Sequence, residues 1–92
     1  METNVDKVLE ERGSRYGKFV DHAGITQTYK AITFGFLEGK NKCLSHSQQE
    51  ALDMIFHKIG RIINGDPNYA DSWIDIAGYA KLVADELEGK IK

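Results

Sequence analysis

The segment Ser45–Leu87 constrains the fold more than any other part of the sequence. Apolar residues recur in it at three- and four-residue spacing on both sides of a break at residues 64–67 (NGDP), which predicts two amphipathic helices. Ser45 and Gln48 form a capping-box pattern at the start of the first of these helices. At the break, Gly65 suits a left-handed helix end, and Pro67 lacks the N–H group of an interior helical position. We therefore expect the two helices to pack as an antiparallel hairpin.

Two further helices are predicted ahead of the hairpin. A short helix spans roughly Val5–Arg12, with Thr3 or Asn4 as its N-cap. Residues 13–20 (GSRYGKFV) are rich in glycine and charge and are interpreted as an ordered loop. A longer helix spans roughly Asp21–Leu37, where apolar residues again recur at helical spacing. The stripe that they form consists of Ile25, Tyr29, Ile32 and Phe36.

No segment shows the two-residue alternation of an amphipathic strand, so the predicted fold class is all-α. The expected architecture is a small helical bundle with one short N-terminal helix and three longer helices, the last two forming the hairpin. All 92 residues are assigned to a single domain (1–92), because no stretch has the composition of a linker. A chain this short buries only about 60–65% of its unfolded surface, so we expect a homo-oligomer, with a dimer favoured.

Charge and composition exclude several classes of function. The 12 basic and 14 acidic residues give a net charge of −2, and the two signs interleave along the chain. This balance argues against direct nucleic-acid binding, which depends on phosphate contacts. No apolar run approaches the roughly 20 residues of a membrane span, and the N-terminus lacks a signal-peptide core. The single cysteine, Cys43, cannot form an internal disulfide, so a reducing cytoplasm is the expected location. Because no base lies near Cys43 in the sequence, nucleophilic catalysis by this thiol finds little support.

One face of the hairpin's first helix carries charged and polar side chains. At roughly 100° per residue, Glu50, Asp53, His57 and Arg61 fall on one stripe, opposite the apolar side. Such a stripe is typical of a solvated face. The same spacing places the Glu50 and Asp53 carboxylates one turn apart, where they could share a Mg²⁺ ion, since hard cations prefer oxygen ligands. Both interpretations remain open.

A second acidic pair, Asp71 and Asp75, lies one turn apart on the following helix. Asp71 suits a helix N-terminus, where the helix dipole favours a negative charge. Asp75 lies well inside the helix, near Tyr79 and next to Gly78 in the helical arrangement. A glycine inside a helix costs about 0.5–1 kcal/mol relative to Ala, and either close helix packing or a bound ligand would explain it.

Four consecutive residues supply groups that suit a nucleotide: Arg15, Tyr16, Gly17 and Lys18. Arginine binds phosphate through a bidentate fork, and a tyrosine ring can stack on a base. The alternative is a structural loop whose tyrosine fills the end of the bundle. His22 and the histidine of the polar stripe lie on different predicted helices, so they are a weak zinc signal and are interpreted as hydrogen-bonded packing residues.

Two long segments of the chain, RYGKFVDHAGITQ and QQEALDMIFHKIGRIINGDPNYADSWIDIAGYAKLV, resemble a family of small phage and prophage proteins with a domain of unknown function. The resemblance covers roughly Glu10–Leu87. The chain is also similar to a domain found near the nucleotide-modification genes of phages, which shares a Tyr-Gly loop and a D-x-x-G-Y helix. More remotely, it resembles the all-α nucleoside triphosphate pyrophosphohydrolases of the MazG and dimeric dUTPase kind.

The pyrophosphohydrolase resemblance implies a Mg²⁺ site between two acidic pairs, E-x-x-E on one helix and E-x-x-D on the next. Glu50 and Asp53 match the first pair by spacing, and Asp75 matches the last acid of the second. Ser72 occupies the place of the other acid, and Asp71 lies one position too early. The leading acidic doublet of those enzymes is missing as well. These departures weaken the prediction of catalysis more than the prediction of the fold.

The resemblance implies a phage-type, Mg²⁺-dependent hydrolase of a (d)NTP or related nucleotide in the cytoplasm of a bacterial host, with its acidic stripe covered in a dimer. The alternatives are a non-enzymatic phage accessory protein that binds a nucleotide signal or a host defence protein, and a structural helical oligomer. The residues assigned to the expected site are, for catalysis, Asp53 and Asp75; for the metal, Glu50, Asp53, Asp71 and Asp75; and for the nucleotide, Arg15, Tyr16, Gly17, Lys18, His22, Lys58, Arg61, Trp73 and Tyr79.

Overall fold

The computed structural model describes residues 3–92, which form four helices joined by short links. The helices are α1 (Asn4–Tyr16), α2 (Phe19–Gly39), α3 (His46–Asn64) and α4 (Ala70–Leu87). No strand occurs in this part of the chain, so the predicted all-α class and the small four-helix architecture are confirmed. None of these helices combines the length and the hydropathy that a membrane crossing requires.

The predicted caps of the first and third helices are present. The Thr3 hydroxyl accepts a hydrogen bond from the Asp6 N–H at 3.1 Å, and the Asp6 carboxylate accepts one from the Thr3 N–H at 3.1 Å. Ser45 and Gln48 form the same reciprocal pair, at 3.1 and 2.9 Å. Each capping residue satisfies N–H groups that would otherwise lack a partner, which stabilises a helix by about 1 kcal/mol.

The N-terminal helix is longer than the sequence predicts. α1 continues through Gly13 to Tyr16, and the Gly17 N–H closes its last turn by donating to the Gly13 carbonyl at 2.9 Å. The predicted loop over residues 13–20 is therefore wrong, because only Gly17 and Lys18 link α1 to α2. Contacts with residues distant in the sequence hold this last turn of α1, and local sequence patterns do not reveal them.

The two glycines at the junction of α1 and α3 are required for different reasons. Gly65 follows α3 with a φ of −127°, so the predicted left-handed conformation is wrong. A Cβ at Gly65 would overlap the Arg15 carbonyl oxygen and the Tyr16 Cα, so the missing side chain allows the end of α1 to approach. Gly17 has a φ of +78°, which glycine adopts at little cost, and a Cβ there would overlap the Asn64 carbonyl oxygen.

α3 is the central helix of the bundle. It packs along both α2 and α4, whereas α2 and α4 do not contact each other within the described chain, and α1 contacts α2 and α3. The Tyr29 ring stacks on Phe56 with 5.8 Å between ring centroids. Among the described hydrophobic residues only Ala51 is buried, and the apolar stripe of α2 is largely exposed, as Ile32 (56%) and Phe36 (66%) show.

We expect Gly60→Ala to destabilise the fold. A Cβ at Gly60 would lie 2.8 Å from ring atoms of His22 and 2.8 Å from Thr26 Cγ2, so α2 and α3 would have to move apart. Overpacking of this kind costs about 1–3 kcal/mol. The helical preference of alanine over glycine offsets at most roughly 1 kcal/mol of this cost. Urea denaturation measures the net loss.

Gly78→Ala is the matched control for this substitution. Nothing lies within 4 Å of a Cβ at Gly78, so alanine there should raise the free energy of unfolding by up to about 1 kcal/mol. A Gly60→Ala protein that is as stable as Gly78→Ala would contradict the close approach of α2 to α3.

Candidate functional site

The link between α1 and α2 is fastened to the end of α3 by one side chain. The Asn64 side-chain amide donates to the Tyr16 carbonyl at 3.0 Å and to the Lys18 carbonyl at 2.9 Å. Gly17, between these two acceptors, lies against Asn64 with no room for a side chain. A second tie runs from the Asp66 N–H to a carbonyl of the last turn of α1. The end of α1 is thereby fixed beside the turn that follows α3.

Stacked cations and rings cover this junction. The Arg61 guanidinium lies over the Tyr16 ring, 4.2 Å from its centroid, and the Arg15 guanidinium lies over the Tyr69 ring at 4.5 Å. The two tyrosine rings meet edge to face at 6.3 Å. Contacts between a cation and a ring contribute about 0.5–1 kcal/mol where exposed and more where desolvated, so these stacks fix the directions of the guanidinium groups.

Two histidines contact each other between α2 and α3 beside this junction. His22 is buried, and its Nε2 lies 3.2 Å from His57 Nδ1, so one ring donates and the other accepts. Burial, reinforced by the Arg61 charge, lowers the pKa of His57 from 6.5 to about 4. The pKa of His22 is also lowered, again chiefly by burial and then by Arg61. Both rings are therefore neutral at pH 7 and match the predicted hydrogen-bonded packing.

A cleft of about 600 Å³ opens between α1, the link, the start of α2 and the end of α3. Three cationic side chains line it, and no Asp or Glu is among its lining residues in the described chain. Ring faces and an aliphatic side chain supply the rest of its wall. We call this the cationic cleft; its lining residues are Leu9, Arg12, Gly13, Tyr16, Gly17, Lys18, Phe19, His22, His57 and Arg61. A smaller groove shares Arg12, Tyr16 and Arg61 with this cleft and adds Arg15 and the acidic Glu11.

The four carboxylates predicted to bind Mg²⁺ lie apart from this cleft. Asp53 accepts a hydrogen bond from Gln49 at 3.2 Å and lies 3.9 Å from the Lys30 ammonium. Asp75 pairs with the Lys58 ammonium at 2.9 Å. Within residues 3–92, no three Asp, Glu, His or Cys side chains come close enough to hold a metal ion.

The other two predicted metal ligands are also held elsewhere. The Asp71 carboxylate accepts a hydrogen bond from the Tyr69 hydroxyl at 3.0 Å. Glu50 is exposed and lines a different groove, next to Tyr79. Within one described chain the four carboxylates are therefore not gathered at one point, and Mg²⁺ binding stays a prediction.

The structure gathers part of the predicted nucleotide set and separates the rest. Tyr16, Gly17, Lys18, His22 and Arg61 line the cationic cleft, and Arg15 borders it. Lys58, Trp73 and Tyr79 lie away from the cleft. Lys58 pairs with Asp75, and the Trp73 indole N–H donates to the Pro67 carbonyl at 2.9 Å. Tyr79 lines the same groove as Glu50.

Sequence reasoning missed Arg12, Phe19 and Asn64. Leu9, Arg12 and Tyr16 are spaced as one face of a helix, so a helix extended through Gly13 would have indicated Arg12. For Asn64, which fastens the link, the sequence carries no comparable signal.

The fold and this surface define a small all-α domain with a basic, aromatic-lined cleft at one end. A family model described as a domain of unknown function, DUF6378, matches residues 1–87, and the chain belongs to this family. Comparison with curated proteins and with solved structures finds no match.

We expect Asn64→Ala to destabilise the protein by about 1–3 kcal/mol, because two carbonyl groups lose their donor. Limited proteolysis should then cut the chain faster near Gly17, and urea denaturation measures the loss of stability. Asn68→Ala is the control, since Asn68 is exposed and only its backbone N–H makes a hydrogen bond. Equal stability of the two variants would show that Asn64 does not fasten the link.

Stability should also fall as the pH decreases below about 6.5. The unfolded chain takes up protons near the ordinary histidine pKa of 6.5, whereas folded His57 resists protonation until about pH 4. The unfolded state then binds more protons, so its free energy falls relative to the folded state across this range. Melting temperatures measured over the range should show a smaller pH dependence for His57→Gln. His46→Gln, which alters an exposed histidine, should keep the wild-type dependence; an unchanged slope in His57→Gln would contradict this assignment.

Proposed function

We propose that this protein binds a nucleotide or a nucleotide-derived small molecule in the cationic cleft. The observation that carries the proposal is the grouping of three cationic side chains with exposed and half-buried ring faces, without a carboxylate among the lining residues. An anion with an attached aromatic base is the ligand that fits both features. A simple anion would use the charges but not the rings.

Arg12, Lys18 and Arg61 are the proposed phosphate ligands. Arg61 is stacked on Tyr16, so its planar fork is held in place and less rotamer entropy is lost when it binds a phosphate. Arg12 and Lys18 are exposed residues of the cleft lining and can turn towards a ligand bound there. The net charge of −2 is therefore compatible with anion binding, since the positive charge is concentrated locally.

Phe19 is the proposed platform for the base. Its side chain is 80% exposed at the cleft, whereas the Tyr16 ring is already covered by Arg61 and Tyr69. Stacking of a base on an aromatic ring contributes about 1–3 kcal/mol. His57, neutral at pH 7, adds a hydrogen-bonding group without adding charge.

The setting of this activity is part of the proposal. The resemblance to phage and prophage proteins supports nucleotide handling in the cytoplasm of a bacterial host, either in nucleotide metabolism or by capture of a nucleotide signal of host defence. The lysine partners of Asp53 and Asp75 favour binding without turnover. Mg²⁺-dependent hydrolysis of a (d)NTP stays a prediction, which release of phosphate or pyrophosphate would test.

Isothermal titration with nucleoside mono- and triphosphates and cyclic dinucleotides, with and without Mg²⁺, tests the proposal. We expect at least one of them to bind without added metal. Lys18→Gln should weaken binding by about tenfold, the loss of one charge-assisted hydrogen bond. Phe19→Ala should weaken it by a similar factor through lost stacking, about 1–3 kcal/mol.

Two exposed residues outside the cleft provide matched controls. Lys40→Gln and Phe34→Ala make the same chemical changes elsewhere and should leave the affinity unchanged. Binding that Lys18→Gln and Phe19→Ala do not affect, or no binding by any compound, would overturn the assignment of the cleft. Phosphate or pyrophosphate release that requires Mg²⁺ and is lost in Asp53→Asn would instead establish the hydrolase.

A further inference from the structure

One face of the bundle is apolar and has no second layer. Because α3 lies between α2 and α4, which do not contact each other in the described chain, these three helices form an open layer. Ile32 and Phe36 continue the stripe of Ile25 and Tyr29 on α2, and those two residues line a groove together with Ile63 of α3. On α4, Leu87 points away from Leu82, which lines a groove with Glu50 on the other side of the layer. We call the side that carries Ile32, Phe36, Ile63 and Leu87 the apolar face. These four side chains are 54–72% exposed.

The composition of α2 indicates that this face is covered in the functional state. Asp21, Lys30 and Glu38 are the only charged residues in α2, and apolar side chains occur around most of its circumference. A helix of this kind is normally buried on several sides. In the single chain α3 covers one side of α2 and α1 makes a smaller contact with it, and most of the large side chains of α2 are exposed.

The accessible surface of the chain is larger than that of a typical folded monomer of its mass. It is 6840 Å², whereas a folded monomer of 10.3 kDa should expose about 5,400 Å². The radius of gyration is 15.7 Å, compared with about 12 Å for a compact domain of 92 residues. The excess of about 1,400 Å² matches the roughly 1,000–2,500 Å² that each chain buries in an obligate homodimer.

We infer that a second copy of this chain packs against the apolar face, so that two open layers close into one two-layer helical dimer. A helix layer with an apolar side requires a second layer, and an identical chain presents a face of the same size and polarity. The acidic stripe predicted to be covered by a partner is not the interface. The face opposite the apolar one carries Arg61 and α1 with the cationic cleft, so both clefts of the dimer stay open to solvent. This inference does not depend on the ligand proposed for the cleft.

Sedimentation velocity over a dilution series tests the dimer. We expect a species of twice the 10.3 kDa chain mass. Ile32→Glu, which places a charge on the apolar face, should raise the dissociation constant of the dimer by about thirtyfold or more. Phe34→Glu is the control, because Phe34 lies on the same helix, is 40% exposed and points to the opposite side of the layer. That variant should remain dimeric.

A second measurement covers the case in which the Ile32→Glu chain unfolds when it dissociates. The wild-type melting temperature should rise with protein concentration, as it does when folding and association are coupled. A wild-type chain that is monomeric with a concentration-independent melting temperature would overturn the inference, whatever else binds to the face. A dimer that Ile32→Glu leaves intact, or that Phe34→Glu dissociates equally, would overturn it as well.

Discussion

The placement of α1 in the bundle depends on the two hydrogen bonds that the Asn64 amide donates to the carbonyls of Tyr16 and Lys18. They join residues that are far apart in sequence and fix the last turn of α1 against the end of α3. Gly17 and Gly65 permit this contact, because a side chain at either position would overlap the opposite backbone. The junction positions the walls that α1 and the link contribute to the cationic cleft, opposite those from α2 and α3.

Local patterns were sufficient for most of the fold. The reciprocal bonds of Ser45 and Gln48 and the break before Pro67 are decided by residues within one helical turn, so the sequence predicts them correctly. The length of α1 is not a local property. Gly13 predicts the end of a helix, yet α1 continues to Tyr16, where Asn64 and Tyr69 contact its last turn.

The candidate site shows the same division between local and distant effects. Arg15 to Lys18 were selected by side-chain chemistry, and the structure places the last three in the cleft lining and Arg15 beside it. Arg12 and Phe19 join the lining only through the approach of α1 to α3. The acidic pairs show the opposite outcome. One-turn spacing suggested that these carboxylates share a metal ion. In the structure, Asp53 and Asp75 each pair with a lysine on a neighbouring helix, which spacing within one helix does not reveal. Periodicity likewise identified the apolar stripes but not what covers them.

The central claim is that a nucleotide occupies the cationic cleft, and amide NMR of the wild-type protein titrated with a nucleoside triphosphate tests it most directly. The account predicts that the largest shifts occur at the amides of Gly17, Lys18 and Phe19, on the wall that joins α1 to α2. Shifts that cluster instead around Glu50 and Asp75, with the cleft unaffected, would contradict it and would move the site to the acidic side chains.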